Sequence, residues 1–170
     1  MPDDPLLTIT AEPLTAAAWA PYGWVPRADT DPADGEHTLH FEWDDAHLNT
    51  IEHRTEEVDA TGTGLRCAVM YRHATHTQVL TPLDADSVLA VAPASTPFAS
   101  AADLEDVRAF VLHPGETIVL HRGTWHWGPF PIGGAHSVRL LNVQGRRYAE
   151  DNASVDLASR TGRAVEVVSP

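Results

Sequence analysis

Six or seven short runs that read as β-strands, each closed off by Pro, Gly or Asp, set the limits on how this chain can fold. They are HTLHFEW (37–43), LRCAVMYRH (65–73), TQVLTPL (77–83), SVLAVAP (87–93), VRAFVLH (107–113), TIVLHRG (117–123) and HSVRLLNVQG (136–145), with a further strand-like LLTIT near the start. Their spacing is close to the eight to twelve residues usual in sandwiches and barrels. Helical periodicity nowhere extends beyond about ten residues. LTAAAWA makes at most a helical turn, ended by Pro21. RADTDPADGE (27–36) and STPFASAADLED (95–106) read as loops. The fold class that follows is all-β, a jelly roll or related barrel with a few short peripheral helices. At 170 residues the chain suits a single domain over 1–170, with a core over about 14–148. A polar C-terminal extension over 149–170 is expected to wrap the outside.

Composition removes several functional classes. All eleven basic residues are Arg, so Schiff-base lysine chemistry and the lysine-bearing phosphate loop are excluded. The formal net charge of −13 repels nucleic acid at long range. Cys67 is the lone cysteine, which rules out an internal disulfide and a cysteine zinc cluster. No apolar run approaches the ~20 residues of a membrane span. MPDDPLLTIT carries acids where a secretory signal carries basic residues. A cytoplasmic protein is expected.

The ten histidines fall into a pattern. In YRHATHTQ (71–78), strand alternation puts Tyr71 and His73 on one face and Arg72 on the other, with His76 and Gln78 following. His113 and His121 end successive strands, and His126 lies five residues beyond His121. Neighbouring strands bring inward residues within about 5 Å, so a barrel mouth can gather such groups. Imidazoles with an amide oxygen such as that of Gln78 suit a borderline divalent metal: Mn, Fe, Co, Ni or Zn. His37, His40, His47 and His53 stand in acidic, polar surroundings and read as exposed. Arg72, Arg122 and Arg139 lie near the histidine loci, where an arginine can clamp a small anion or simply pair with one of the 24 acids.

The arrangement resembles a cupin: Gly115, His121, Gly123 and His126 fall where the second cupin motif has Gly, Pro, Gly and His, with His121 at the proline position. More specifically it resembles the ureidoglycolate lyase family. WAPYG (19–23), YRHATHTQ (71–78), VRAF (107–110) and HRGTWHWGP (121–129) follow that family's motifs in order, over about residues 14–145. Two positions depart from its pattern: Tyr71 replaces a Glu, and Trp127 replaces the second His of a Trp-His-His run.

The resemblance implies a cupin-type jelly roll and cleavage of ureidoglycolate to glyoxylate and urea, within purine and allantoin breakdown. It implies a divalent metal (Zn, Ni, Mn or Fe) on His73, Gln78 and His126. Acid–base roles fall to His121 or His76, with His126 and Tyr71 also catalytic, and substrate contacts to Arg72, Arg139 and Trp127. A small anionic substrate and a homodimer are the expected partners. Two other readings stay open. One is a metal-dependent cupin acting on another small polar carboxylate as lyase, isomerase, cyclase or oxygenase; the other is a non-catalytic binding cupin.

Overall fold

The structure, a computed structural model, describes residues 4–28, 37–43 and 45–170. Its strands in chain order are β1 (Leu6–Thr10), β2 (Glu12–Pro13), β3 (Gly23–Trp24), β4 (Ala46–Arg54), β5 (Leu65–Cys67), β6 (Val69–Arg72) and β7 (Gln78–Pro82). They continue with β8 (Ser87–Ala92), β9 (Arg108–Leu112), β10 (Ile118–Leu120), β11 (Trp125–Pro131), β12 (Ser137–Gly145), β13 (Ala153–Asp156) and β14 (Ala164–Val168). Two short helices, α1 (Ala16–Trp19) and α2 (Leu157–Thr161), and 3-10 turns at Thr55–Glu57 and Ala101–Asp106 complete the described elements. The Thr15 hydroxyl caps α1 by accepting from the Ala18 N–H at 3.1 Å. No helix among the described residues is long and apolar enough to cross a membrane.

Three sheets stack. One is β1-β14-β5, the second β3-β10-β7-β12-β4, and the third β13-β6-β11-β8-β9-β2. The six-stranded sheet is the middle layer, and its sequence says why. SVLAVA of β8 is buried at every position, the mark of a strand covered on both faces. Leu89 and Val91 of β8, with Phe110 and Leu112 of β9, pack against Leu80, Ile118 and Leu120 of the five-stranded sheet. Val88, Ala90 and Ala92 face the other way, into a cluster with Trp125, Trp127, Val165 and Val167 that joins the three-stranded sheet. Trp19 anchors the first cluster edge-on to Phe110, ring centroids 5.3 Å apart, and its indole N–H donates to the Val119 carbonyl at 3.0 Å. Gly23 is obligatory beside it, because a Cβ there would stand 1.7 Å from the Val119 carbonyl oxygen. The all-β cupin-like class holds, although the described strands form an open stack of sheets rather than a closed barrel.

Several expected elements differ. LRCAVMYRH is two strands, since Ala68 separates β5, paired to β14, from β6, paired to β11 and β13. HTLHFEW contributes one bridge, Phe41 to His76, rather than a strand. AHLNTIEHR and WHWGPFP, not expected as strands, are β4 and β11. The C-terminal segment does not simply wrap the outside: β14 is the middle strand of its sheet and is largely buried. Glu166 on that strand is buried because the Thr8, Thr61 and Thr63 hydroxyls all donate to its carboxylate. The loop expected over 27–36 lies outside the described residues from position 29 onward.

Candidate active site

Towards β4 and β6 the inner faces of the two larger sheets change from apolar to polar. Alternation turns Asn49, Ile51 and His53 of β4 inward, as it does Gln78 and Leu80 of β7 and Asn142 and Gln144 of β12. The facing wall supplies Tyr71 of β6, His73 just beyond it, and His126 of β11, where Tyr71 and His126 are cross-strand partners. These groups border a cavity of about 480 Å³, with Tyr148 and Asn152 at its margin.

Three imidazoles of this cavity are fixed in the same way. His73 Nδ1 lies 2.6 Å from the Asp151 carbonyl, His126 Nδ1 3.1 Å from the Thr124 carbonyl, and His53 Nδ1 2.7 Å from the Pro129 carbonyl. A carbonyl only accepts, so each Nδ1 carries the proton and each Nε2 offers a lone pair. Burial lowers the His73 pKa, against the opposing bond to Asp151. Burial, reinforced by His73, pushes His126 down to about 3. Both rings are therefore neutral at pH 7. Their centroids are 5.3 Å apart, and His76 stacks on His73 at 4.7 Å.

Asp151 holds this corner. Its carboxylate accepts the Ala74 and Thr75 N–H groups at 2.9 and 2.7 Å, and the Thr75 hydroxyl as well. Burial works against its ionisation, but these bonds outweigh that and keep its pKa below the ordinary value. His76 is buried, and burial with repulsion from His73 pushes it down to about 4.

A line of amides sets the orientation of Gln78. Asn142 donates to the Asn49 Oδ1 at 2.7 Å, which leaves the Asn142 Oδ1 to accept from Gln78 Nε2 at 2.8 Å. Gln144 Oε1 accepts from the same Nε2 at 3.2 Å. Gln78 Oε1 is thereby turned away as an acceptor, and it is buried without a hydrogen-bond partner, as is His76 Nε2. A buried acceptor held in this state is costly unless something that donates or coordinates occupies the space before it.

The remaining sequence candidates lie elsewhere. The Arg72 guanidinium sits 4.3 Å over the Trp125 ring, on the face away from the cavity. Arg139 is exposed and pairs with Asp84 at 2.7 Å. His121 is in a separate depression beside Trp24, His37, His40 and Arg122. Trp127 borders the cavity, yet its side chain belongs to the apolar cluster of the middle sheet. Tyr71 is exposed at the cavity mouth. Glu52 and Glu57 border the cavity, and none of its described lining residues is an arginine. Sequence reasoning missed His53, Asn49, Asn142 and Gln144. The alternation in AHLNTIEHR, with His47, Asn49, Ile51 and His53 on one face, was the signal for His53.

No group of three or more His, Cys, Asp or Glu among the described residues is arranged to hold a metal. The cavity offers the neutral imidazole lone pairs of His73 and His126 together with the unpartnered Gln78 oxygen, a set that fits a borderline divalent cation, and His53 lies apart from them on β4.

Comparison with known proteins agrees with the motifs. The family described as ureidoglycolate lyase matches residues 6–161. The ureidoglycolate lyase of Pseudomonas fluorescens (strain Pf0-1) is 32% identical over 133 residues, covering 70% of this chain and 74% of that protein. The chain belongs to the ureidoglycolate lyase family.

Proposed function

We propose that the protein is a carbon–nitrogen lyase that cleaves ureidoglycolate to glyoxylate and urea in the cavity lined by His73, Gln78 and His126. The reaction is the collapse of a carbinolamide. The hydroxyl loses its proton, the oxygen's electrons form the aldehyde C=O, the C–N bond breaks, and the departing urea nitrogen gains a proton. The observation that carries this reading is the convergence of two tautomer-fixed neutral imidazoles with the unpartnered Gln78 oxygen in one small polar cavity. These are groups that accept protons or bind the polar substituents of a small ureido acid.

His73, Gln78 and His126 would hold a divalent cation here. Such an ion supplies positive charge for the substrate carboxylate and lowers the pKa of its hydroxyl. The need is physical, since the cavity's described lining carries carboxylates and no arginine. The chain's own residues do the rest: the Asn49–Asn142–Gln78 line keeps an acceptor facing inward, and Asp151 fixes the turn that carries His73. A cytoplasmic homodimer belongs to the same reading. Leu48 and Leu141, exposed on the outer face of the five-stranded sheet, supply apolar surface for the contact.

Purified protein should release urea and glyoxylate from ureidoglycolate in equal amounts and contain a stoichiometric divalent metal by elemental analysis. His126→Gln should lower turnover at least ~100-fold while the fold persists by circular dichroism. An intact His126→Gln protein with unchanged turnover overturns the assignment. The Tyr71 side chain at the mouth favours a second reading, a cupin enzyme for another small polar acid. Bound metal without ureidoglycolate turnover would point to it.

A further inference from the structure

Collapse of a carbinolamide needs a group that can take a proton from oxygen and deliver one to nitrogen. The sequence candidates for this task are badly placed. His121 lies in a separate depression, and His76 is buried and does not line the cavity. His73 and His126 share one wall, where they offer lone pairs to a cation or to substrate oxygens. The opposite wall holds a histidine that the sequence reading grouped with exposed ones.

His53 enters the cavity from β4, two residues after Ile51 on the inward face. Its ring stacks on Phe130 with centroids 5.1 Å apart and planes 28° from parallel. Its Nδ1 is tied to the Pro129 carbonyl at 2.7 Å. The pairing of β11 with β8 shifts register between Trp127 and Phe130. Such a bulge re-aims backbone groups, and here a carbonyl of β11 becomes the hydrogen-bond partner of a β4 side chain. The consequence is an imidazole locked by stacking on one face and by a hydrogen bond at one nitrogen, with the other nitrogen left as a proton acceptor. The same Nδ1–H bond strengthens once the ring is charged, which is the service an orienting acceptor gives a general base.

We propose that His53 is the acid–base residue of the cavity, taking the substrate hydroxyl proton at Nε2 and returning it to the departing urea nitrogen. The step balances. The O–H bond breaks as the N–H bond forms, the C=O bond forms as the C–N bond breaks, and His53 ends as it began. The proposal rests on the ureidoglycolate-cleaving reading above and assigns a residue within it.

The test compares wild-type protein, His53→Asn and His53→Ala on ureidoglycolate. Asparagine keeps an N–H donor near the position of Nδ1 for the Pro129 carbonyl and has no basic nitrogen. His53→Asn should therefore melt within a few degrees of wild type and hold KM within about threefold. Its kcat should fall about 100- to 10,000-fold, the usual worth of a general base. Exogenous imidazole should restore at least about tenfold of the lost rate to His53→Ala, an effect a purely structural side chain would not give. An active wild type whose His53→Asn variant keeps kcat within threefold overturns the role of His53 and leaves the lyase reading standing. A wild type that releases no urea overturns both.

Discussion

Lowering the pH from 7.5 to 5 should destabilise the metal-free protein in a way the buried histidines dictate. His126 is held neutral, with its pKa pushed from 6.5 to about 3, and His76 from 6.5 to about 4. Above pH 6.5 both are neutral folded or unfolded, and they contribute no pH dependence. Below it the unfolded chain takes up protons that the folded protein refuses. Stability therefore falls as pH drops from 6.5, and the loss levels off only below the folded values. At pH 5 the window is about 1.5 units, and at ~1.36 kcal/mol per unit each histidine costs about 2 kcal/mol. The sum, about 4 kcal/mol, is an upper bound because both shifts share a repulsion with His73. That is a large fraction of a typical ~5–15 kcal/mol. His113, raised by its bond to Asp86, pulls the other way at the surface. The assay is urea unfolding with chelator present at pH 7.5, 6.5, 5.75 and 5, for wild type, His126→Gln and His76→Gln. Each variant should lose part of the slope, with a remainder from His73, whose pKa burial also lowers. A midpoint that stays flat over this range, or a slope unchanged by both substitutions, refutes the reasoning.

Three further outcomes follow from the geometry. Gly145→Ala would place a Cβ 2.7 Å from Nδ1 of the buried His76, so a loss of about 1–3 kcal/mol is expected in urea unfolding. Asp151→Ala strips the exposed Ala74 N–H and the half-buried Thr75 N–H of their acceptor and should cost about 1–2 kcal/mol, with kcat falling as the His73 turn loosens. Arg72→Ala and Arg139→Ala should leave KM for ureidoglycolate within about twofold, since neither side chain reaches the cavity. A tenfold rise in KM for either would restore it as a carboxylate clamp.

Continuous apolar runs were the easiest to read: SVLAVAP announced β8, and strands β7, β9, β10 and β12 followed from their own short runs between turns. Strand β4 escaped because both of its faces mix polar and apolar residues. It turns His47, Asn49 and His53 inward beside Ile51 and leaves Leu48 exposed, so neither face reads as apolar. Burying such polar faces is possible only because the amide line and the carbonyls satisfy them, and those partners are distant in sequence. The break at Ala68 was invisible for a different reason: no Pro or Gly marks it, and only the choice of partner strand does. In the candidate site, the shared face of Tyr71 and His73 followed from strand alternation, while His126 was picked out by the resemblance of HRGTWHWGP to the family's motif. The Asp151 clamp and the Gln78 orientation depend on contacts spanning more than 60 residues, such as Gln78 to Asn142. The opposite facing of Arg72 was legible from alternation, and its stacking on Trp125 was not.

The strand order β1-β14-β5 also has a consequence for synthesis. The Thr8–Glu166 bond joins residues 158 positions apart. At about 5–20 residues per second, β1 leaves the ribosome on the order of 10 s before the strand it must lie beside. During that interval Leu7 and Ile9 have no cover, and for its last few seconds neither do Trp125 and Trp127 on the outward face of the middle sheet. The newborn chain thus presents its stickiest surface to chaperones or to other nascent chains until the last strand of the sheet arrives.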